Sequence, residues 1–94
     1  DTRHVALMEL AIRSHMLLLV YSPRNMALGK GALSSAQFQA WVDRLAELAS
    51  SSRLPESVWN PLLDVLREQA PYTEMKRAVF KLHQQVVAEL ASAG

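Results

Sequence analysis

The sequence predicts an all-α fold, a four-helix antiparallel bundle with room for an extra short helical turn in residues 22–34. Apolar residues recur at spacings of three and four along most of the chain, and no run alternates with the period of two typical of a strand. Half of the residues are apolar and a fifth are charged, as in folded globular domains. The links after the second and third periodic stretches are short, which favours antiparallel neighbours in a bundle.

The chain has 94 residues, the length of one domain, and we expect residues 1–94 to form a single helical domain. No internal repeat of 20–50 residues and no low-complexity tract divides it. Because the sequence begins at Asp1 rather than Met, we also expect it to be part of a longer protein.

The first helix is predicted over about residues 3–21. Glu9 and Arg13 form an i,i+4 pair of opposite charge on its polar stripe. The same stripe continues through Met16 and Val20, so the helix is apolar on every face from Met16 onward. Such a segment is either central to a bundle or partly uncovered, and we treat its off-pattern apolar residues as candidates for a binding surface.

Residues 22–34 form a long link for so small a domain. Ser22 and Pro23 are the residue types of an N-cap and a first helical position, and they predict a short turn through Leu28. We expect Met26 and Leu28 to lie over the apolar end of the first helix.

The second long helix begins after Ser34, because Ser34 and Gln37 have the spacing of a capping box. Six apolar residues then fall on one side of the helix, opposite a charged and polar side, and this pattern predicts a core-facing stripe. The stripe consists of Phe38, Trp41, Val42, Leu45, Leu48 and Ala49.

The third long helix has two candidate starts. Pro55 is one, but Asn60 and Pro61 form the cleaner pair of cap and first helical residue. A proline inside a helix loses a hydrogen bond and clashes with the preceding turn, at a cost of about 3 kcal/mol. We therefore predict a turn or kink near Trp59, followed by helix to Gln69.

The fourth long helix is predicted to begin at Thr73 as its N-cap. Its core stripe comprises Met75, Val79, Leu82, Val86 and Leu90. Phe80 and Val87 lie roughly 120–140° from Met75 around the helix, beside Lys76 and His83. They widen the apolar face beyond what one neighbouring helix needs to cover.

The residue types do not favour catalysis or metal binding. The chain has no cysteine, which excludes disulfides, thiol catalysis and cysteine-ligated zinc. His4 and His15 share a helix but lie about 16 Å apart along its axis, and His83 has no His, Asp or Glu one helical turn away. No serine has an evident base or oxyanion motif. We expect no enzyme activity, cofactor, metal or small-molecule substrate.

The charge distribution bears on membranes and nucleic acids. The longest apolar stretch, residues 5–21, contains Glu9 and Arg13, so we expect no membrane span and an intracellular protein. The net charge of +1 makes nucleic-acid binding the less favoured reading, because phosphate contacts require a basic excess. One basic cluster on the last helix keeps that alternative open, formed by Lys76, Arg77 and Lys81.

The leading hypothesis is a non-catalytic protein–protein interaction module of a larger regulatory or scaffold protein. It would bind an amphipathic helix of a partner, or a second copy of itself, through apolar residues that a simple bundle would replace with polar ones. The expected anchors are Met16, Val20, Phe80 and Val87, with Lys76 and His83 at the rim. No sequence motif identifies a family.

Overall fold

The computed structural model describes residues 2–29 and 33–93, and it confirms the all-α bundle. Four long helices and one short helix account for most of this part of the chain. They are α1 (Thr2–Val20), α2 (Pro23–Ala27), α3 (Ser35–Ser52), α4 (Glu56–Arg67) and α5 (Tyr72–Ala93). The molecule measures 41 × 22 × 21 Å. Within the described residues, no helix has the length and apolarity needed to cross a membrane.

The long helices are arranged in a ring, in which α1 packs against α3 and α5, and α4 packs against the other side of both. At the start of α1, Arg3 donates hydrogen bonds to the Ser52 carbonyl and to the Glu89 carboxylate, both at 2.7 Å. At the other end, the Tyr72 hydroxyl donates to the Leu18 carbonyl at 3.1 Å. The start of α1 therefore meets the ends of α3 and α5, so α1 is antiparallel to both.

All four long helices contribute to one core. The predicted stripes of α3 and α5 are buried except at their margins, where Phe38, Trp41 and Leu90 are only partly covered. Ser14 and Ser52 are the buried polar residues among those described, and each hydroxyl donates to a carbonyl of its own helix. The most deeply buried side chains are Leu7, Leu10, Leu17, Val42, Leu45, Leu62, Val79, Leu82 and Val86.

Two predicted helix starts are confirmed by their caps. The Ser22 hydroxyl accepts a hydrogen bond from the Asn25 amide at 3.3 Å and begins α2. The Ser34 hydroxyl accepts from the Gln37 amide at 3.2 Å, and the Gln37 side chain accepts from the Ser34 amide at 3.0 Å. This reciprocal pair is the capping box that the spacing predicted.

The link lies against the end of α1, where α2 contacts it, but Met26 and Leu28 are only partly covered there. Met26 and Leu28 are 44% and 59% exposed, so neither is packed into a cover for the apolar end of α1. Instead, α2 is attached through its polar side, where the Asn25 side-chain amide donates to the Leu19 carbonyl. At this end of α1, Leu19 stays 55% exposed.

Of the two candidate starts of the third long helix, the preferred one at Asn60 and Pro61 is wrong and the one at Pro55 is right, because α4 begins at Glu56 and continues through Pro61. The missing amide of Pro61 leaves one carbonyl, that of Ser57, without its helical donor, and both residues are exposed to water that can replace it. The earlier start partly buries Trp59, whose indole N–H donates to the Leu54 carbonyl at 2.9 Å. These contacts offset the cost of the proline.

The last helix begins two residues earlier than predicted, since an N-cap at Thr73 would make Glu74 its first residue. The Pro71 carbonyl accepts from the amides of Glu74 and Met75 at 2.9 and 3.2 Å, so α5 starts at Tyr72. Thr73 therefore lies inside the first turn and is not the N-cap. The backbone carbonyl of Pro71 provides the first helical hydrogen bonds of α5 without any side-chain cap.

Candidate interaction surface

The solvent side of α1 is apolar from Val5 to Leu19, except at His15. Its exposed residues are Val5, Met8, Ile12, His15, Met16 and Leu19. The spacing from Val5 to Leu19, in steps of three and four, is the spacing of a stripe that packs against another helix. None of these six residues carries a fixed charge. The opposite side of α1 lies in the core, so this helix is apolar on both sides.

Glu9 and Arg13 lie on the side of α1 that adjoins α3. The Glu9 carboxylate accepts hydrogen bonds from Arg13 at 2.6 Å and from Arg44 of α3 at 3.0 and 3.1 Å. These bonds, the one from Arg13 above all, lower the pKa of Glu9 below its ordinary value. The Arg13 guanidinium also lies 5.3 Å from the Trp41 ring centroid. The polar stripe thus forms the seam between α1 and α3.

The predicted anchors on α5 lie outside the core. Phe80 is 46% exposed and Val87 is 64% exposed, and both line a shallow depression with His83 and Gln84. The Lys76 ammonium lies 5.7 Å from the Phe80 ring centroid, so it borders this depression as a cation over an aromatic face. Phe80 and Val87 therefore form an apolar strip with a charged edge.

The exposed residues of the two helices adjoin. The rings of His15 on α1 and His83 on α5 have centroids 5.9 Å apart, which brings the solvent side of α1 next to Phe80 and Val87. We call the combined area the α1–α5 surface. It consists of Val5, Met8, Ile12, Met16 and Leu19 of α1, with Phe80 and Val87 of α5.

The predicted anchors of α1 differ in position. Met16 is 43% exposed and belongs to the α1–α5 surface. Val20 is only partly exposed, and it shares the helix side of Glu9 and Arg13, next to α3. Val20 is therefore at most a margin residue of this surface.

The α1–α5 surface is large for a small domain. Its seven side chains expose on the order of 600 Å² of mainly apolar area, at the upper end of the largest patch on an ordinary monomer. The sequence contained the signal for it, because Val5, Met8, Ile12 and Leu19 follow helical spacing on their own. The Glu9–Arg13 stripe, which in the sequence has the pattern of an outward polar side, obscures this signal.

His83 belongs to a small polar network that sequence reasoning missed. Its Nε2 lies 2.9 Å from the Ala11 carbonyl and 3.0 Å from the Ser14 hydroxyl, which itself donates to the Ala11 carbonyl. A nitrogen this close to a carbonyl oxygen must carry the proton, so His83 donates from Nε2. Burial lowers the pKa of His83, and His15 nearby adds to this, while the hydrogen bond to Ala11 opposes it.

This network is not arranged for nucleophilic catalysis. The hydroxyl of Ser14 is fully buried, so no substrate carbonyl reaches it. The Nε2 of His83 is a donor toward the Ala11 carbonyl and does not present a lone pair to Ser14. The network instead joins α1 to α5 beneath the α1–α5 surface.

Other polar groups lie on the outside of the bundle. Asp43 accepts from Gln39 at 2.9 Å, and Glu47 pairs with Arg44 at 3.3 Å. Across the described residues there is no group of three or more His, Asp or Glu able to hold a metal ion. The basic residues Lys76, Arg77 and Lys81 are all exposed, and in the described part of the chain none of them takes part in an ion pair.

A second concave region lies at the end of the bundle between α3, α4 and the start of α5. This cleft has a volume of about 550 Å³, and its wall includes Phe38, Val42, Leu66 and Met75. Tyr21 and Leu33 also line this cleft. Comparisons with protein-family models, curated proteins and solved structures find no match to this chain.

Proposed function

We propose that the chain is a non-catalytic protein–protein interaction module that binds a helix on its α1–α5 surface. The observation that carries this proposal is the solvent side of α1, where five large apolar residues follow helical spacing without any fixed charge among them. Exposed apolar side chains on a soluble domain are individually unremarkable, but a continuous stripe of this size is typical of a binding surface.

The chemistry of the surface specifies the kind of partner. An α-helix with an apolar stripe would bury its side chains against α1, while Phe80 and Val87 provide a second wall beside it. Polar and charged groups border the surface, with Glu9 and Arg13 toward α3 and Lys76 on α5. An apolar centre with a polar rim is the usual anatomy of a protein interface.

The proposal is tested by recovering partners from nuclease-treated lysate with the 94-residue chain, at low and at high salt. We expect a protein that is retained at both salt concentrations, because apolar contacts are not screened. Phe80→Ala should weaken this binding by more than about 1 kcal/mol, as the loss of a partly buried aromatic anchor does. Met26→Ala is the matched control, since Met26 has almost the same exposure but lies on α2.

Two results would contradict the proposal. If both variants retain the partner equally well, the partner binds elsewhere on the chain. If the material recovered without nuclease is nucleic acid released by salt, the exposed cluster of Lys76, Arg77 and Lys81 is the better candidate site. In either case circular dichroism must first show that Phe80→Ala remains folded.

A further inference from the structure

We infer that the partner of the α1–α5 surface is a second copy of this chain, paired antiparallel about a two-fold axis that passes beside Ile12. This inference rests on the proposed function and names the occupant of the same surface. It follows from the order of residues on α1 and α5, from the absence of fixed charge and from the area available. An isologous dimer requires one surface to be complementary to itself, and these observations meet that requirement.

The apolar stripe of α1 is symmetric about Ile12. Val5 lies seven residues before Ile12 and Leu19 lies seven residues after it, while Met8 and Met16 lie four residues before and after. When two copies of α1 pack antiparallel with Ile12 against Ile12, Val5 of each copy meets Leu19 of the other. Met8 likewise meets Met16. Each contact joins side chains of similar size and the same chemistry.

The same axis relates the exposed residues of α5. The contacts of His83 with the Ala11 carbonyl and with His15 place His83 at about the level of Ile12. Phe80 lies three residues before His83 and Val87 lies four residues after it. A two-fold axis at this level therefore sets Phe80 of one copy opposite Val87 of the other. The same two-fold rotation thus pairs the exposed apolar residues of both α1 and α5.

The surface carries no fixed charge that self-pairing would repel. No Asp, Glu, Lys or Arg lies among its seven residues. Lys76 lies at the rim beside Phe80, and Glu9 is already bound by Arg13 and Arg44. The polar groups nearest the axis are His15, His83, which contacts the Ala11 carbonyl, and Gln84. A partner with a strongly charged face would leave those charges desolvated, whereas a second copy brings apolar groups and imidazoles.

The exposed area is sufficient for such a dimer. On the order of 600 Å² of mainly apolar side chain is available from each copy, before the polar rim is counted. Specific interfaces bury about 800 Å² per partner, and homodimer interfaces are the more apolar ones. The apolar part of the α1–α5 surface alone reaches the lower end of this size class, which is about 600 Å² per partner.

The first test is sedimentation of the purified chain from about 1 to about 500 μM. We expect the weight-average mass to rise from 10.5 kDa toward twice that value. Ile12→Arg places two arginines against each other at the axis and should leave a monomer at every concentration. Leu28→Arg is the matched control, because Leu28 is 59% exposed and Ile12 is 58% exposed, and this variant should still dimerise.

The second test fixes the register with two variants that carry charges at the same positions. The first variant combines Val5→Lys and Leu19→Glu in one chain. In the antiparallel pair, the lysine of each copy then lies opposite the glutamate of the other, so dimerisation should be retained. Val5→Lys with Leu19→Lys sets lysine opposite lysine and should abolish the dimer. Positions 5 and 19 are exposed, so charged side chains there should not disturb the fold. The circular dichroism of both variants should therefore match that of the unmodified chain.

The outcomes separate this inference from the proposed function. A chain that stays monomeric at all concentrations overturns the self-pairing, while a lysate partner lost with Phe80→Ala would leave the interaction module standing. A dimer that survives Ile12→Arg is built on another surface and overturns the inference. Loss of the dimer in both double variants contradicts the antiparallel register, and with it the two-fold axis beside Ile12.

Discussion

The two sides of α1 have nearly the same composition but opposite environments. Leu10 is 1% exposed on the inner side and Ile12 is 58% exposed on the outer side, although they are two residues apart. The inner side packs on α3 and α5, and no described element covers the outer side. The charged residues occupy a third side, where Glu9 is bound by Arg44. The inner residues should therefore control stability and the outer ones association.

The largest expected effect on stability comes from truncating a side chain on the inner side of α1. Leu10→Ala should lower the free energy of unfolding by about 2–5 kcal/mol, because it removes buried methyl groups and leaves a cavity. Leu82→Ala on the facing side of α5 should cost a similar amount. Urea denaturation followed by circular dichroism measures both. A loss below about 0.5 kcal/mol at either position would be inconsistent with the core described above.

A smaller effect on stability is expected from protonation of His83, which lies beneath the outer surface. Because burial lowers its pKa below the ordinary value of 6.5, the unfolded chain binds a proton there more readily than the folded chain does. The free energy of unfolding should therefore be highest above about pH 6.5 and should decrease as the pH falls through the interval below it. His15 is the titratable neighbour that strengthens this effect.

The measurement compares urea denaturation at about pH 7.5 and about pH 5.5 for the chain and for His83→Gln. The loss of stability on acidification should be smaller in the variant. Glu9 and Glu89, whose pKa values are lowered by Arg13 and Arg3, lose their contribution only at pH values below their ordinary value of 4.5. An identical pH dependence in both proteins would assign the effect to other groups.

The smallest expected effect on stability is on the outer side of α1. Ile12→Ala should change the free energy of unfolding of the monomer by no more than about 0.5 kcal/mol, since the side chain is exposed and alanine is the better helix former. Denaturation at low micromolar concentration avoids any contribution from association. A destabilisation comparable to that of Leu10→Ala would show that the outer side is covered in the folded chain.

Much of the fold was predictable because it depends on local signals. The capping box of Ser34 and Gln37 and the turn begun by Ser22 follow from residue type and spacing alone. The choice between the two candidate starts of α4 was not predictable, because the partial burial of Trp59 against the core, which favours the earlier start, is not visible in the sequence. Local propensity gives the wrong answer where burial offsets it.

The candidate site was predicted in part. Phe80, Val87 and Met16 are exposed because they lie away from the core stripes, and periodicity identifies such residues. Val5, Met8, Ile12 and Leu19 were missed because a helix that is apolar on two sides does not reveal which side faces the core. Only the packing of Glu9 and Arg13 against α3 resolves this, and it depends on contacts between residues far apart in the sequence.

The most direct test of the central claim is site-specific photo-crosslinking in cells that express the chain. A photoreactive residue replaces Ile12 on the outer side of α1, and in a second protein it replaces Gln39, which is exposed on α3. We predict an adduct with another protein chain from position 12 and none from position 39. Equal crosslinking from both positions, or none from position 12, would contradict the assignment of the α1–α5 surface as a binding surface.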